Sequence, residues 1–294
     1  HARAADQRRR EGKPLGALHG IPVGIKDIID TRDMPTEDGT VLHAGRTPVE
    51  DATVVRMLRA AGAIIMGKTV TTELATYAPG KTRNPRNLEH TPGGSSSGSA
   101  AAVAAHMVPL ALGTQTNGSV IRPAAYCGVV GFKPSFGLIP RHGILKQSGS
   151  LDQVGVFARS IEDAAFLAEQ ITGFDENDPD TRALAKPLLR ATAMQEPPIP
   201  PLLAFVKTPV WKTADAESHE AFAELARYLG ERVEEFRLPA AVKDAWKWHQ
   251  TVMEADIAKN YEREYEQGKD KLSESLRAQI ARGRRVRAVE YNKA

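Results

Sequence analysis

Cysteine is almost absent from this chain: a single one, Cys127, stands among 294 residues. One thiol excludes an internal disulfide and a thiolate zinc cluster. Its surroundings, A-A-Y-C-G-V-V-G, are small and apolar, so a buried, inert thiol is expected. No apolar run reaches membrane-spanning length, and the N-terminus carries no apolar signal core. Charge of one sign is not in excess either. A formal net charge of +3 is too mild to argue for nucleic acid. The basic clusters, Arg8, Arg9 and Arg10, then Arg282, Arg284, Arg285 and Arg287, read as solvated helix faces. Neither a nucleic-acid nor a membrane partner is therefore expected. Internal repeats are lacking, and one Gly/Ser loop is the sole low-complexity feature. With 41% hydrophobic and 26% charged residues, the composition suits one large core or two domains. The chain starts at His1 and stops at Ala294 inside polar, helix-like sequence, and we expect it to be incomplete at both ends.

Strand and helix signals alternate along the first part. Residues 15–30, L-G-A-L-H-G-I-P-V-G-I-K-D-I-I-D, hold a short branched-residue strand bounded by glycines and proline. Asp51 to Ala61 fits an N-capped helix, with Val54, Leu58 and Ala61 at helical spacing. Ala63 to Met66 reads as a buried strand and Thr69 to Thr76 as a short helix. An alanine-rich helix is expected over Ser99 to Met107, strands over Val108 to Leu112 and Gly128 to Phe132, and a helix over Ser160 to Thr172. That last helix opens with the capping pattern Ser160…Asp163. Such alternation predicts an α/β fold around a parallel or mixed sheet. From Asp175 to Pro201 the sequence becomes a long connection. A strand from Leu202 to Val206, an amphipathic helix from Ala214 to Leu229, and a charged helical stretch from Ala241 to Ala294 complete the reading.

Three short motifs compete for the chemistry. Gly62 to Thr69, G-A-I-I-M-G-K-T, matches the P-loop pattern, whose amides must wrap phosphate from a flexible loop. Here the spacer is apolar and strand-like, so Lys68 reads as a strand-end lysine. Gly94 to Gly98, G-S-S-S-G, matches a nucleophile elbow centred on Ser96, but a polar, turn-forming segment precedes it where the elbow needs a strand. The histidines that such a triad would need, His219 and His249, sit in amphipathic helical surroundings and read as solvated or packed. The third constellation is a pair of small-residue loops joined by a helix and a strand, T-P-G-G-S-S-S-G-S-A to G-T-Q-T-N-G-S-V-I-R, together with Lys26 upstream. Backbone amides in loops of small residues can point at an anion.

This third constellation resembles the amidase signature family. The hallmark loops of that family are matched by Gly93-Gly94-Ser95-Ser96-Ser97-Gly98 and Gly113-Thr114-Gln115-Thr116-Asn117-Gly118-Ser119. H-G-I-P-V-G-I-K-D is similar to its lysine-bearing segment, and C-G-V-V-G-F-K-P-S-F-G and S-L-D-Q-V-G-V-F-A-R-S-I-E-D are also family-like. The similarity runs through roughly residues 10–175. It implies one amidase signature domain over 1–294, with the signature core at about 15–175 and a variable helical part at about 202–294. The implied fold is an α/β/α sandwich with a mixed central sheet flanked by helices.

The resemblance also implies a Ser-Ser-Lys triad. Ser119 would attack an amide carbonyl, Ser95, after a cis Gly94–Ser95 peptide, would pass the proton, and Lys26 would be the terminal base. The backbone N–H groups of Thr116, Asn117, Gly118 and Ser119 would form the oxyanion hole. Independent chemistry agrees: a serine hydroxyl needs an adjacent base, and lysine serves as one only when burial keeps it neutral. Ser96 or Ser97 would orient Lys26. Thr71, Thr72, Tyr77 and Ser96 are candidate substrate contacts, and Asp152 reads as a turn-stabilising residue first, with an approach to the site as the alternative. Trp246 and Met253 share a helical face that is more often core, and the sequence leaves Trp248 undecided. Four positions depart from the family pattern. Gln115 stands where Asp is common, Ile121 where Arg is common with Arg122 one later, Asn117 replaces Gly, and so does Ser97. Losing both charges together leaves no unpaired buried ion, so a loop braced by neutral hydrogen bonds is expected. The expectation is a cytoplasmic amidohydrolase acting on a linear carboxamide with no metal or organic cofactor, and with a homodimer left open. Two alternatives stand beside it: the glutaminase subunit of the tRNA-dependent amidotransferase, and a non-catalytic scaffold.

Overall fold

The computed structural model describes residues 1–294. After a polar helix α1 (Ala2–Arg10), the core is assembled from β1 (Pro22–Lys26), α2 (Thr53–Ala60), β2 (Ile64–Thr69), α3 (Ser97–Ala104), β3 (Leu110–Gln115), α4 (Ile121–Cys127), β4 (Val130–Phe132), β5 (Gln153–Ala158) and α5 (Ile161–Ile171). The five strands form one mixed sheet in the order β2-β1-β3-β5-β4. β1 pairs in parallel with β2 and β3, whereas β5 runs antiparallel to both β3 and β4.

Alternation along the strands sorts side chains between two helical layers. Val23, Ile25, Leu110, Leu112, Val154 and Val156 pack with Val54, Val55 and Leu58 of α2 and Ala164, Leu167 and Ile171 of α5. On the opposite face, Ala111 and Phe157 meet Ala100, Val103 and Ala104 of α3 and Ala124 and Cys127 of α4. The alanines of α3 let that helix lie close to the sheet. Gly98 is a position of contact, since a Cβ there would fall 2.3 Å from Val70 N. The result is the expected α/β/α sandwich.

Several local expectations change. Asp51 does not cap α2, whose N-cap is Ala52. The Asp51 carboxylate instead takes Arg32 N at 2.9 Å and pairs with Arg59 at 3.0 Å. Residues 69–76 are not a helix: β2 runs through Thr69, and Glu73–Ala75 is a single 3-10 turn with Leu74 at φ 44 and Ala75 at φ 57. β2 lies at one edge of the sheet, and Met66 is 64% exposed, not buried. β3 lies further along than Val108–Leu112 and carries Thr114 and Gln115 into the sheet. The strand β5 has no exposed face to create alternation, and its six residues are all buried. At α5, Ser160 Oγ accepts the Asp163 amide as expected.

The connection after residue 175 contains a short helix, α6 (Leu189–Ala193). A separate parallel pair follows, β6 (Leu203–Val206) and β7 (Val233–Phe236), joined through α7 (Ala216–Leu229). Helices α8 (Ala245–Asn260), α9 (Glu262–Gly268), α10 (Glu274–Gly283) and α11 (Ala288–Lys293) end the chain. Met253, Ile257, Tyr261, Leu272, Leu276 and Ile280 bury a third cluster with Leu74 of the turn that follows β2. Trp246 is 70% exposed and does not share the buried face of Met253. His219 packs edge-on against Trp211. No helix is long and apolar enough to cross a membrane.

Candidate active site

Because β1 and β3 run parallel as neighbours, their carboxyl ends finish side by side, which is where open α/β sheets place their sites. β1 ends on Lys26 and β3 runs into the loop 116–119; the loop before α3 delivers Ser95 to the same edge. Lys26 is fully buried. Its Nζ donates to Ser95 Oγ at 2.7 Å and to Thr114 Oγ1 at 2.8 Å. Burial pushes the amine down to about 7, and the charge of Asp152 pulls weakly the other way. Near neutral pH this amine exchanges readily between its two forms, the property a general base needs.

The Gly94–Ser95 peptide is cis. Ser96, also fully buried, stitches the loop to β3: its hydroxyl donates to Thr114 O at 3.1 Å and accepts Thr114 N at 3.2 Å. Ser97 Oγ donates to Val70 O. Neither serine bonds Lys26, so the expected orienting partner is replaced by Thr114. That residue was visible within the second loop motif, but only its place in β3 turns its hydroxyl to the amine.

Ser119 is 6% exposed, and its carbonyl accepts Ser96 N at 3.3 Å. Its hydroxyl is not hydrogen-bonded to Ser95. The amides of Thr116, Asn117, Gly118 and Ser119 make no hydrogen bond to other backbone groups. Gln115 braces the loop from beneath. Its Oε1 accepts Val120 N at 2.9 Å and Ile121 N at 3.1 Å, and its Nε2 donates to Asn117 O at 3.3 Å. These Gln115 bonds are neutral, whereas the next is not. Arg122 crosses between the loops, donating to Gly94 O at 3.2 Å and to Asn117 Oδ1 at 3.0 Å. Asn117 Nδ2 in turn donates to Tyr77 OH at 3.1 Å. Asp152 accepts Gln147 N, Ser148 N and the Thr116 hydroxyl, and burial raises its carboxyl above the ordinary range.

The remaining candidates separate. Thr72 Oγ1 is used within its own turn, donating to Thr76 O, while Thr72 N donates to Ser95 O at 3.2 Å. Thr71 is buried and its Oγ1 has no hydrogen-bond partner. Tyr77 is half exposed. His249 Nε2 lies 3.3 Å from Thr116 O, a contact with the loop 116–119 that its helical surroundings gave no hint of. A cavity of about 190 Å³ touches Thr114, Thr116, Ala75, Gln147 and Asp152, yet none of Lys26, Ser95 or Ser119. Lys68 Nζ binds Ile29 O and Thr36 Oγ1 inside the protein, which removes it from any phosphate loop. No cluster of three or more His, Cys, Asp or Glu side chains has metal-holding geometry.

A buried lysine on a serine hydroxyl, beside a loop of free amides and a second serine, defines a serine-lysine site on an α/β/α sandwich. Comparison with known proteins says which class this is. A model of the Amidase family matches residues 1–292, and the chain belongs to that family. It is 50% identical over 183 residues to the A-type subunit of the glutamyl-tRNA(Gln) amidotransferase of Acidothermus cellulolyticus, covering 60% of this chain and 36% of that protein. Among solved structures, it is similar to the native peptide amidase of Stenotrophomonas maltophilia, with TM-score 0.79 and 30% identity over 99% of this chain and 67% of the other. It is also similar to a vestigial protein complex bearing on the evolutionary origins of an s-triazine catabolic enzyme, with TM-score 0.89 and 28% identity over 99% of this chain and 65% of the other. The chain thus spans about a third of the first relative's length.

Proposed function

We propose that the protein hydrolyses the C–N bond of a linear carboxamide, releasing a carboxylate and ammonia or an amine. Ser119 Oγ attacks the carbonyl carbon. Its proton passes to Ser95 Oγ as the Ser95 proton passes to neutral Lys26 Nζ. The carbonyl oxygen becomes an oxyanion facing the amides of Thr116 to Ser119, where each such donor is worth on the order of 100-fold in rate. Collapse breaks the C–N bond. The leaving nitrogen takes the proton back from Lys26 through Ser95, and the acyl group stays on Ser119. Water then adds, its proton passing through Ser95 to Lys26, and the ester C–O bond breaks as Ser119 Oγ takes that proton back through Ser95.

The observation that carries this reading is the buried Lys26 amine 2.7 Å from Ser95 Oγ. An ammonia-release assay over a panel of linear amides, with Ser119→Ala as control, tests it. Release that Ser119→Ala abolishes supports the proposal, and release that survives in this variant overturns it. Identity to the amidotransferase protein of Acidothermus cellulolyticus keeps glutamine as a second reading of the substrate. Glutamine belongs in the panel, with and without charged tRNA. Gln115 and the shifted Arg122 favour the stand-alone amidase.

A further inference from the structure

Each of the three loops at the site is held from one side by the C-terminal helices. His249 and Met253 of α8 meet the oxyanion loop at Thr116 O and Asn117 Nδ2. His43 bridges Asp38 and Glu264 of α9, and Asp38 N donates to Asp27 O, next to Lys26, at 3.0 Å. The third contact falls on the turn beside Ser95.

That turn holds two consecutive residues with side chains in the left-handed region, Leu74 and Ala75. Such backbone persists only where its surroundings over-determine it. Tyr261, at the junction of α8 and α9, is fully buried and donates its hydroxyl to Leu74 O at 2.8 Å. The Glu73 carboxylate accepts Ser273 N at 3.0 Å, ahead of α10. Leu74 itself is buried among Ile257, Tyr261, Leu276 and Ile280. The other side of the turn bears on the site. Thr72 N donates to Ser95 O at 3.2 Å. Thr72 Cγ2 also lies so near Gly94 that a Cβ there would be 2.8 Å away.

We infer that Tyr261 is a positioning residue for Ser95: its hydroxyl fixes the left-handed turn at Leu74, and Thr72 transmits that fixed position to the Ser95 carbonyl. Burial raises the phenol well above its ordinary range, so its hydroxyl keeps its proton near neutral pH. The meaning of Ser95 as a proton relay rests on the function proposed above, but the mechanical link does not.

The test compares Tyr261→Phe with Leu276→Ala, which loosens the same buried cluster without touching the turn's hydrogen bond. Two readouts are needed: the limiting rate and half-saturation of Ser119 labelling by a phosphonate, and hydrogen exchange at the Thr72 amide. Tyr261→Phe is expected to slow limiting labelling on the order of tenfold, with half-saturation unchanged and Thr72 exchange faster. Leu276→Ala is expected to melt earlier than Tyr261→Phe yet label at the unsubstituted limiting rate. Unchanged labelling and exchange in Tyr261→Phe, or equal slowing in Leu276→Ala, would overturn the inference. If the unsubstituted chain itself takes no label, the proposed function has failed. Thr72 exchange then decides alone: faster in Tyr261→Phe only supports the link, and equal exchange removes it.

Discussion

At the scale of single residues, the account turns on a lysine whose charged form burial disfavours and which two hydroxyls orient. Thr114→Val keeps the shape but removes one acceptor from Lys26 Nζ. Acceptors favour the charged amine, so the midpoint of the pH–rate profile should move below that of the unsubstituted protein. Substitution at Lys26 has a stability consequence with a definite sign. The folded-state value is lowered to about 7 from 10.5, so between those values the unfolded chain binds more protons, and stability rises with pH. The cost of burying the charge is therefore full below pH 7 and relieved towards pH 10. Lys26→Met should gain stability over the unsubstituted protein at pH 6 and lose that advantage at pH 10, read by urea titration. Much of this centre was legible in the sequence, because a lysine inside Ile21, Val23, Ile25 and Ile28 has no exposed place to go. Thr114 was not legible as its partner, since a threonine in a Gly-rich loop looks like loop chemistry until the strand register is known.

Among secondary-structure elements, the signature core and the C-terminal helices obey different rules of legibility. Short apolar runs and small-residue loops announced β1, β2 and α3. Strand β5 is buried along its whole length and so lost the alternation by which strands are recognised. The turn at Leu74 escaped because its left-handed backbone is held by Tyr261, which closes α8, and by Ser273, which caps α10, and no local residue preference encodes it. Close approach of those two helices is encoded by a glycine. A Cβ on Gly283 would fall 1.9 Å from Glu254 O, so Gly283→Ala must separate α10 from α8. We expect it to lower the melting temperature clearly more than Gly67→Ala, where a Cβ meets nothing. By contrast, Ser160→Ala removes only the cap of α5 and should cost about 1 kcal/mol in a denaturant titration.

For the whole molecule, the helical part and the signature core are joined by His43, whose ring nitrogens meet Asp38 at 2.8 Å and Glu264 at 3.1 Å. The hydrogen bond with Asp38, then that with Glu264, raise the imidazole to about 9. A raised value means the stabilisation is complete below the ordinary value of 6.5 and disappears as pH climbs through about 9. His43→Gln should therefore weaken the fold at pH 6 and matter much less at pH 10. This long-range tie was invisible in the sequence, where His43 and Glu264 stand far apart in unremarkable polar surroundings. The same union of distant segments builds the site, and its central feature is a buried Lys26, its charged form disfavoured, on Ser95. The most direct test is an NMR titration of the Lys26 side chain in the folded protein, using isotope-labelled lysine and Lys26→Met for assignment. A midpoint near 7 is what the account predicts. A midpoint near 10.5, the value of a solvated lysine, would contradict it.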